Sequence, residues 1–544
     1  MPWQQVYNPV GNFWLSALLA ALPIIVLLGG LAFLRLKAHL AALAGLVTSL
    51  LISVFIFGLP ASKALVSAGF GAVYGFFPIG WIILNAIFLY DLCQEKGAIQ
   101  VLRENIAGLT SDRRLQLLLI AFSFGSFFES AAGFGTPVAI TSALLIGLGF
   151  PPLQASGLSL IANTAPVAYG ALGTPIVALA GVTGLDVRDL SAMVGRQLSF
   201  FSVIVPFWLI AAFCGFKKML EVWPAALVAG LGFAIPQLLI SNFHGPWLAG
   251  VVSSLVSLVA LVILFHFWQP RQTFSPEEYG NAELKGTNLN QKALFSASLP
   301  WIILSVVIFV WGIPQVKKLL DSIFAPSFVI SSLHHQIFRM PPVTPAPMPE
   351  EAIFRFNFLS FTGTGILVAA IISGFLMKFS PAKMFKIYAK TIWRVRFSLL
   401  TVALMLSLGY ITRYSGLDAT LGLAFARTGV LYPFFGTMLG WLGVALTGSD
   451  TSSNVLFGSL QKITAGQLGL NPVLMAAANS SGGVMGKMID AQSIVVAATA
   501  TRWYGHEGNI LRYVFIHSLL LAALVSLLVF LQAYVYPFTK MVVG

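Results

Sequence analysis

Residues 129–137 read ESAAGFGTP and residues 445–453 read ALTGSDTSS. Set side by side, Gly133-Phe134-Gly135-Thr136-Pro137 falls against Gly448-Ser449-Asp450-Thr451-Ser452. Further along, Ala162-Asn163-Thr164 with Gly170 behind it meets Ala478-Asn479-Ser480 with Gly486 at the same offset. Each half therefore holds a glycine-rich break, an apolar arm and an Asn-Ser/Thr break, in that order. Small residues are ordinary at contacts between membrane helices, so one match alone would carry little. Two matches in the same order and spacing read as an internal repeat.

The surrounding composition says what kind of repeat this is. Of 544 residues, 58% are apolar and only 9% are charged, against roughly 25% charged in a soluble domain. No soluble fold of this length buries that much apolar surface behind a polar exterior, so a cytosolic enzyme and a disordered chain are both excluded. What remains is a polytopic membrane protein. The excess of 31 Lys and Arg over 18 Asp and Glu, formally +13, reads as positive-inside loop decoration rather than a nucleic-acid surface. The two cysteines, Cys93 and Cys214, supply neither a disulfide framework nor a thiolate metal site.

Loop charges set the orientation. Arg35 and Lys37 follow the first apolar run, Lys96, Arg103, Arg113 and Arg114 lie in 91–114, and six Lys or Arg crowd 378–396. All three stretches are expected in the cytoplasm, with the N-terminus and the proline-rich loop 315–356 outside. Apolar runs too short to cross a bilayer cluster in 125–185 and 440–500, as re-entrant hairpins and interrupted helices would. The run entering the first cluster starts in the cytoplasm and the one entering the second starts outside. The expected fold is thus all-α: a polytopic transporter with two inverted repeats, each with a re-entrant hairpin and a broken transmembrane helix. Its expected division is 1–114, N-terminal helices and linker; 115–187, first hairpin and broken-helix unit; 188–429, middle helices with loops 269–292 and 315–356; 430–500, second unit; and 501–544, C-terminal helix.

A helix that ends inside a membrane leaves backbone N–H groups without partners, and its positive dipole end favours an anion. Asn163, Thr164, Asn479, Ser480 and Ser481 offer donors at the breaks, and Gly482 would let a ligand approach the backbone. Lys487 is a cation for a carboxylate. These are the expected substrate contacts, with Gly133, Gly135, Thr136, Gly448 and Thr451 at the hairpin breaks. A simpler role, capping broken helix ends, is open to each. Ionisable groups in apolar runs are costly to keep and point to function. Glu129 and Asp450, carboxyls in such runs, are the candidates for carrying a proton. A structural ion pair of Lys487 with Asp450 or Asp490 is the competing reading. Arg196 is expected in a loop or at lipid headgroups, and Arg413, Asp418 and Arg427 at the interface.

Enzyme motifs fail on inspection. His506-Glu507 continues as Gly508-Asn509-Ile510, which is no zinc site, and Gly486-Lys487 lacks the glycines and hydroxyl of a phosphate loop. No metal and no cofactor is expected, and the driving force is an ion gradient or the substrate's own.

Longer strings then carry a resemblance: AAGFGTPVAITSALLIGLGF (131–150), NTAPVAYGALGTPI (163–176), MVGRQL (193–198), SNFHGPWLAGVVSSLVSL (241–258), GWLGVALTGSDTSSNVLFGSLQ (440–461) and ANSSGGVMGKMIDAQSI (478–494). With them the chain resembles the bacterial lactate permease family, the lactate/glycolate:proton symporters, over nearly its whole length. Ser130, Thr136 and Asn479-Ser480-Ser481 depart from the family's usual residues without removing a charge or a break. The resemblance implies import of L-lactate, often D-lactate and glycolate, with protons across the bacterial inner membrane, and agrees with the repeat. Sodium coupling, a broader carboxylate range and an anion channel stay as alternatives. Membrane lipid is a partner, nucleic acid is not, and a homodimer is left open.

Overall fold

The computed structural model describes the chain except Met1, Phe33, Arg35, 102–108, Ala132, Phe134, Gly135, 275–290 and Gly505. The main helices are α1 (Phe13–Ala32), α2 (Ala38–Phe55), α3 (Ala61–Tyr74), α4 (Trp81–Glu95), α5 (Gly125–Ala131), α6 (Thr136–Gly147), α7 (Pro152–Ala162), α8 (Gly170–Thr183), α9 (Val187–Cys214) and α10 (Trp223–Phe243). They continue with α11 (Pro246–Phe267), α12 (Gln291–Gly312), α13 (Thr362–Leu376), α14 (Pro381–Ser415), α15 (Leu417–Ala426), α16 (Tyr432–Thr447), α17 (Asp450–Gln467), α18 (Pro472–Gly486), α19 (Ala491–Ala500) and α20 (Glu507–Tyr534). Among the described residues ten helices are long and apolar enough to cross a membrane, or eleven if the pair bent by 64° at Asn163–Pro166 counts as one. Their outer faces suit lipid: Phe55, Phe243 and Phe267 are 79%, 81% and 86% exposed, a surface that water would not tolerate.

Helix ends follow local chemistry. Asp186 caps α9 by accepting from the N–H groups of Arg188 (2.7 Å) and Asp189 (3.2 Å). Asn471 does the same for α18, accepting from Val473 at 2.8 Å, with Pro472 in the first turn. Close helix contacts rest on glycine. A Cβ on Gly75 would stand 2.6 Å from the Cα of Ala403, so α14 lies directly on the backbone that links α3 to α4. Gly440 and Gly482 let α16 and α18 touch backbone to backbone, since a Cβ on either would overlap the carbonyl oxygen of Asn479 or Thr437.

The two clusters of short segments have the same order of parts. In the first, α5 ends near Gly133, α6 and α7 form a hairpin turning at Gly149, and the chain breaks again at 163–169 before α8. In the second, α16 ends at Gly448, α17 and α18 turn at Gly469, and a short 3₁₀ turn over Lys487–Ile489 precedes α19. Gly133 and Gly448, at φ 61° and 73°, both take the left-handed conformation that lets the chain reverse.

One expectation is corrected. Asn479, Ser480 and Ser481 do not interrupt the second helix; α18 runs on to Gly486 and the break comes at 487–490. The reason is that each side chain has a partner on another helix and does not compete for its own backbone. Asn479 donates to Asn454 (3.0 Å), Ser480 to Asp450 (2.6 Å) and Ser481 to Gln197 (2.6 Å).

Loop 315–356 holds a short helix and short strands. After the helix Pro314–Ile323, strand Ser327–Val329 pairs antiparallel with Ile353–Arg355, and Ile337–Arg339 lies between Met348–Pro349 and the N-terminal strand Trp3–Gln4. The N-terminus and this loop thus lie together on one side. On the other side Glu95 of α4 meets Lys383 of α14 at 3.1 Å, and Asp91 meets Arg394.

Candidate functional site

The breaks converge. A cavity of about 230 Å³ is walled by Gly133 from the first hairpin break, by Val167, Gly170 and Ala171 from the first helix break, by Thr447–Ser452 from the second hairpin break, and by Lys487 and Gln492 flanking the second helix break. One water needs only ~10–15 Å³ by this kind of measure, so a ligand of several heavy atoms has room. The wall extends from Glu129 and Asp450, 5% and 3% exposed, to His39 of α2 and Phe397 of α14, whose rings stack 4.7 Å apart.

On the first side the chain is strained where it meets the cavity. Ala171 and Leu172 have φ of 42° and 56°, a left-handed turn that residues with a Cβ seldom adopt, and Gly173 follows at 79°. Such strain persists only when the surroundings hold it, and it gathers at functional sites. Gly170 beside it lies close to the carboxyl, since a Cβ there would stand 2.9 Å from Glu129 Oε1 and push that oxygen aside. Asn163 closes α7 and donates from Nδ2 to Glu129 Oε2 at 3.1 Å, while its own Oδ1 is buried without a donor among the described residues. Thr164 turns inward and donates to the carbonyl of Ile161 at 2.9 Å.

On the second side Ser449 caps α17, accepting from the N–H of Ser452 at 3.2 Å. Asp450 occupies the first turn, where the helix dipole favours a negative charge. Its Oδ2 accepts from Ser480 at 2.6 Å, and Asn454 is near at 3.5 Å; its Oδ1 is buried with no donor among the described residues. Thr451 lines the cavity beside it. Lys487 donates to the carbonyl oxygen of Gly448 at 2.7 Å and forms an ion pair with Asp490 at 3.1 Å, at an angle too poor for a hydrogen bond. The cation is thereby tied across both breaks of the second unit. Asp490 also caps α19 through the N–H of Ser493 at 2.7 Å.

The structure thus gathers Glu129, Gly133, Gly448, Asp450, Thr451 and Lys487 around one cavity, with Asn163 bonded to Glu129. It places Asn479, Ser480, Ser481 and Gly482 outside the wall. Asn479 belongs to a fully buried network in which Tyr432 donates to Gln461 (2.6 Å), Gln461 to Asn479 (3.2 Å), and Asn454 to the carbonyl of Pro175 (3.2 Å), tying α17 to α8. Gly482 serves the contact with α16. Thr136 opens α6, and Gly135 lies outside the described residues. Arg196 sits within α9, bonded to Asn242, and Arg427 stacks on Phe13 and Trp14 as an interfacial cation would. Arg413 and Asp418, at the facing ends of α14 and α15, are held by Glu350 and Ser459. Among the described residues no group of three or more His, Cys, Asp or Glu is placed to hold a metal ion.

Sequence reading missed His39, Phe397, Thr401, Met405, Ser449 and Gln492 in the wall. The Ser449-Asp450-Thr451-Ser452 spacing is that of a capped helix start and was a usable signal for Ser449. The residues of α2 and α14 left none, because only packing brings those helices to the breaks.

Comparison with known proteins gives the family of this multi-pass, helical chain. The sequence profile described as L-lactate permease matches residues 16–536. The glycolate permease GlcA of Escherichia coli K12 is 46% identical over 100% of both chains. The L-lactate permease of Bacillus subtilis 168 is 46% identical over 98% of this chain and 99% of its own, and that of E. coli K12 is 42% identical over 98% of each. The solved Alcanivorax borkumensis YdaH transporter overlays 96% of this chain and 98% of its own at 16% identity and a TM-score of 0.46. On the match across almost its full length, this chain is a member of the L-lactate permease family.

Proposed function

We propose that this multi-pass protein of the bacterial inner membrane imports lactate, and glycolate as well, together with a proton by alternating access. The observation that carries the reading is the meeting of the breaks of both units at one cavity that holds two carboxyls and one cation. The relatives named for L-lactate and for glycolate supply the substrate class.

The two units act as inverted repeats, with the substrate bound where their breaks meet. Lactate, with a carboxyl pKa near roughly 4, arrives as an anion. The start of α17 draws it, because the N–H groups of Asp450 and Thr451 have no intrahelical acceptor and the dipole is positive there. Lys487 lies on the same wall. Asp450 competes for that place: two carboxylates about 4 Å apart repel by about 4 kcal/mol at an effective dielectric constant of ~20. A proton on Asp450 or Glu129 removes the conflict, and the donor-free Oδ1 of Asp450 accepts it without breaking a bond. Substrate and proton then bind together, and the two add no net charge to the carrier. The membrane potential, worth about 2.3 kcal/mol per charge per 100 mV, does not act on that step, so the pH gradient drives uptake.

The conformer is the inward-facing one on this reading. The cavity wall ends at His39 and Phe397, beside the basic stretches 35–39 and 378–396. The far side is closed by Gln5, which donates to the carbonyl of Arg413 (2.9 Å), and by Arg413 with Glu350 (2.9 Å).

Uptake of labelled L-lactate and glycolate into proteoliposomes, after a pH jump and with or without sodium, tests the proposal. Accumulation should follow the pH jump and ignore sodium. Accumulation that needs sodium at constant pH refutes proton coupling, and flux that never exceeds equilibration points to a channel.

A further inference from the structure

A second recess lies away from the transport cavity, on the outer face between α9 and α10. It is a trough of about 700 Å³, walled by Phe200, Ile235, Leu239 and Phe243, with Arg196 and Lys540 on its rim. Phe200, Ile235 and Leu239 are 51%, 53% and 50% exposed, so the floor faces lipid rather than protein. Residues 196, 199, 200 and 203 follow one another along a single face of α9, giving about 10 Å of trough at 1.5 Å per residue.

The charges at its rim are unbalanced. Arg196 donates from Nε to Asn242 Oδ1 (2.9 Å) and from Nη1 to the carbonyl of Met541 (3.0 Å), both neutral acceptors. Lys540 contacts the ring of Tyr536 at 5.1 Å. Neither forms an ion pair among the described residues, and no carboxylate lines the trough. A cation at the edge of the hydrocarbon layer needs an anion or water to offset its desolvation. By the loop charges this rim is on the outer side, where positive-inside bias does not account for two cations.

We infer that this trough is a binding site for one anionic glycerophospholipid, its phosphate held by Arg196 and Lys540 and an acyl chain lying between α9 and α10. Both parts of the ligand are matched: charge at the rim, an apolar floor below. The site also ties the C-terminal segment to α9 and α10 through Arg196, so an occupied trough holds three parts of the chain together.

Native mass spectrometry of the full-length protein in detergent tests this, with phosphatidylglycerol and phosphatidylcholine of identical acyl chains added in turn. Wild type should retain one phosphatidylglycerol and release phosphatidylcholine. R196Q/K540Q should bind phosphatidylglycerol about tenfold more weakly or worse. I235W, which fills the exposed floor and keeps both cations, should lose it as well while still importing lactate, which shows that the protein is folded. Equal retention of both lipids, or undiminished phosphatidylglycerol in both variants, overturns the inference. So does equal binding of glycerol phosphate, which has no acyl chain, or a Phe243→Cys cross-link to a second copy with no lipid retained.

Discussion

Replacing Lys487 by methionine separates structure from transport at this site. Its Nζ is 3.1 Å from Asp490 Oδ2, with side-chain exposures of 8% and 0%. Coulomb's law at that distance and an effective dielectric constant of ~20 gives an attraction of about 5 kcal/mol. Desolvation of the two ions offsets much of this, so the intact pair is worth far less than that figure. Breaking it is different, because Asp490 is left charged and buried; Lys487→Met alone should destabilise the protein by about 3–5 kcal/mol. Lys487→Met with Asp490→Asn leaves no stranded charge, and asparagine still caps α19. Only the hydrogen bond to Gly448 is then lost, about 1 kcal/mol. Unfolding of the four proteins in one detergent closes the cycle, and the coupling should reach about 3 kcal/mol. Additive effects, within about 0.5 kcal/mol, would refute the pair as an energetic unit. The refolded double variant then reports on substrate: its KM for lactate should rise at least about tenfold if Lys487 meets the carboxylate. A wild-type KM would reduce Lys487 to a structural role.

Asp450→Asn keeps an acceptor for Ser480 but removes the competing charge, so lactate exchange should persist while pH-driven accumulation falls at least about tenfold; accumulation at the wild-type level in both Asp450→Asn and Glu129→Gln removes the proton assignment. Gly440→Ala should destabilise by about 1–3 kcal/mol, as judged by thermal unfolding, because the new methyl meets the backbone of Asn479. Glu350, in the loop 315–356, is subject to burial that would raise its pKa, but Arg413 and Arg339 outweigh burial and hold it below the usual 4.5. Its contribution to stability is therefore full above that value and disappears as pH falls through the lower folded value; Glu350→Gln should flatten this acid limb in melts taken from pH ~7 to ~3.

Much of this was legible because it is local. The hairpin glycines 133 and 448 showed in the sequence since a chain reversal needs a left-handed residue and glycine supplies it. Glu129, Asp450 and Lys487 showed because a charge in an apolar run is conspicuous whatever surrounds it. The second helix break was misplaced for the converse reason. Asn-Ser-Ser is a helix-ending pattern when its side chains have only their own backbone to bond, and Asn454, Asp450 and Gln197 arrive from other helices to satisfy them. The partners of Arg413 and Asp418 were not legible, because Glu350, 63 residues before Arg413, and Ser459, 41 after Asp418, lie outside any short window.

Composition by itself placed the chain in the membrane, because apolar surface on that scale has no other solvent. Matched breaks showed in the sequence that two stretches with the same order of parts exist, since each break depends on residues close together in the chain. Only the tertiary structure decided which polar groups are spent on each other and which face a cavity. Asn479 and Asn163 match in the repeat, yet one is consumed in a network joining α17, α18 and α8 and the other reaches Glu129. That distinction is set by which helix face meets which neighbour, and a sequence of mostly interchangeable apolar residues does not encode it at any single position.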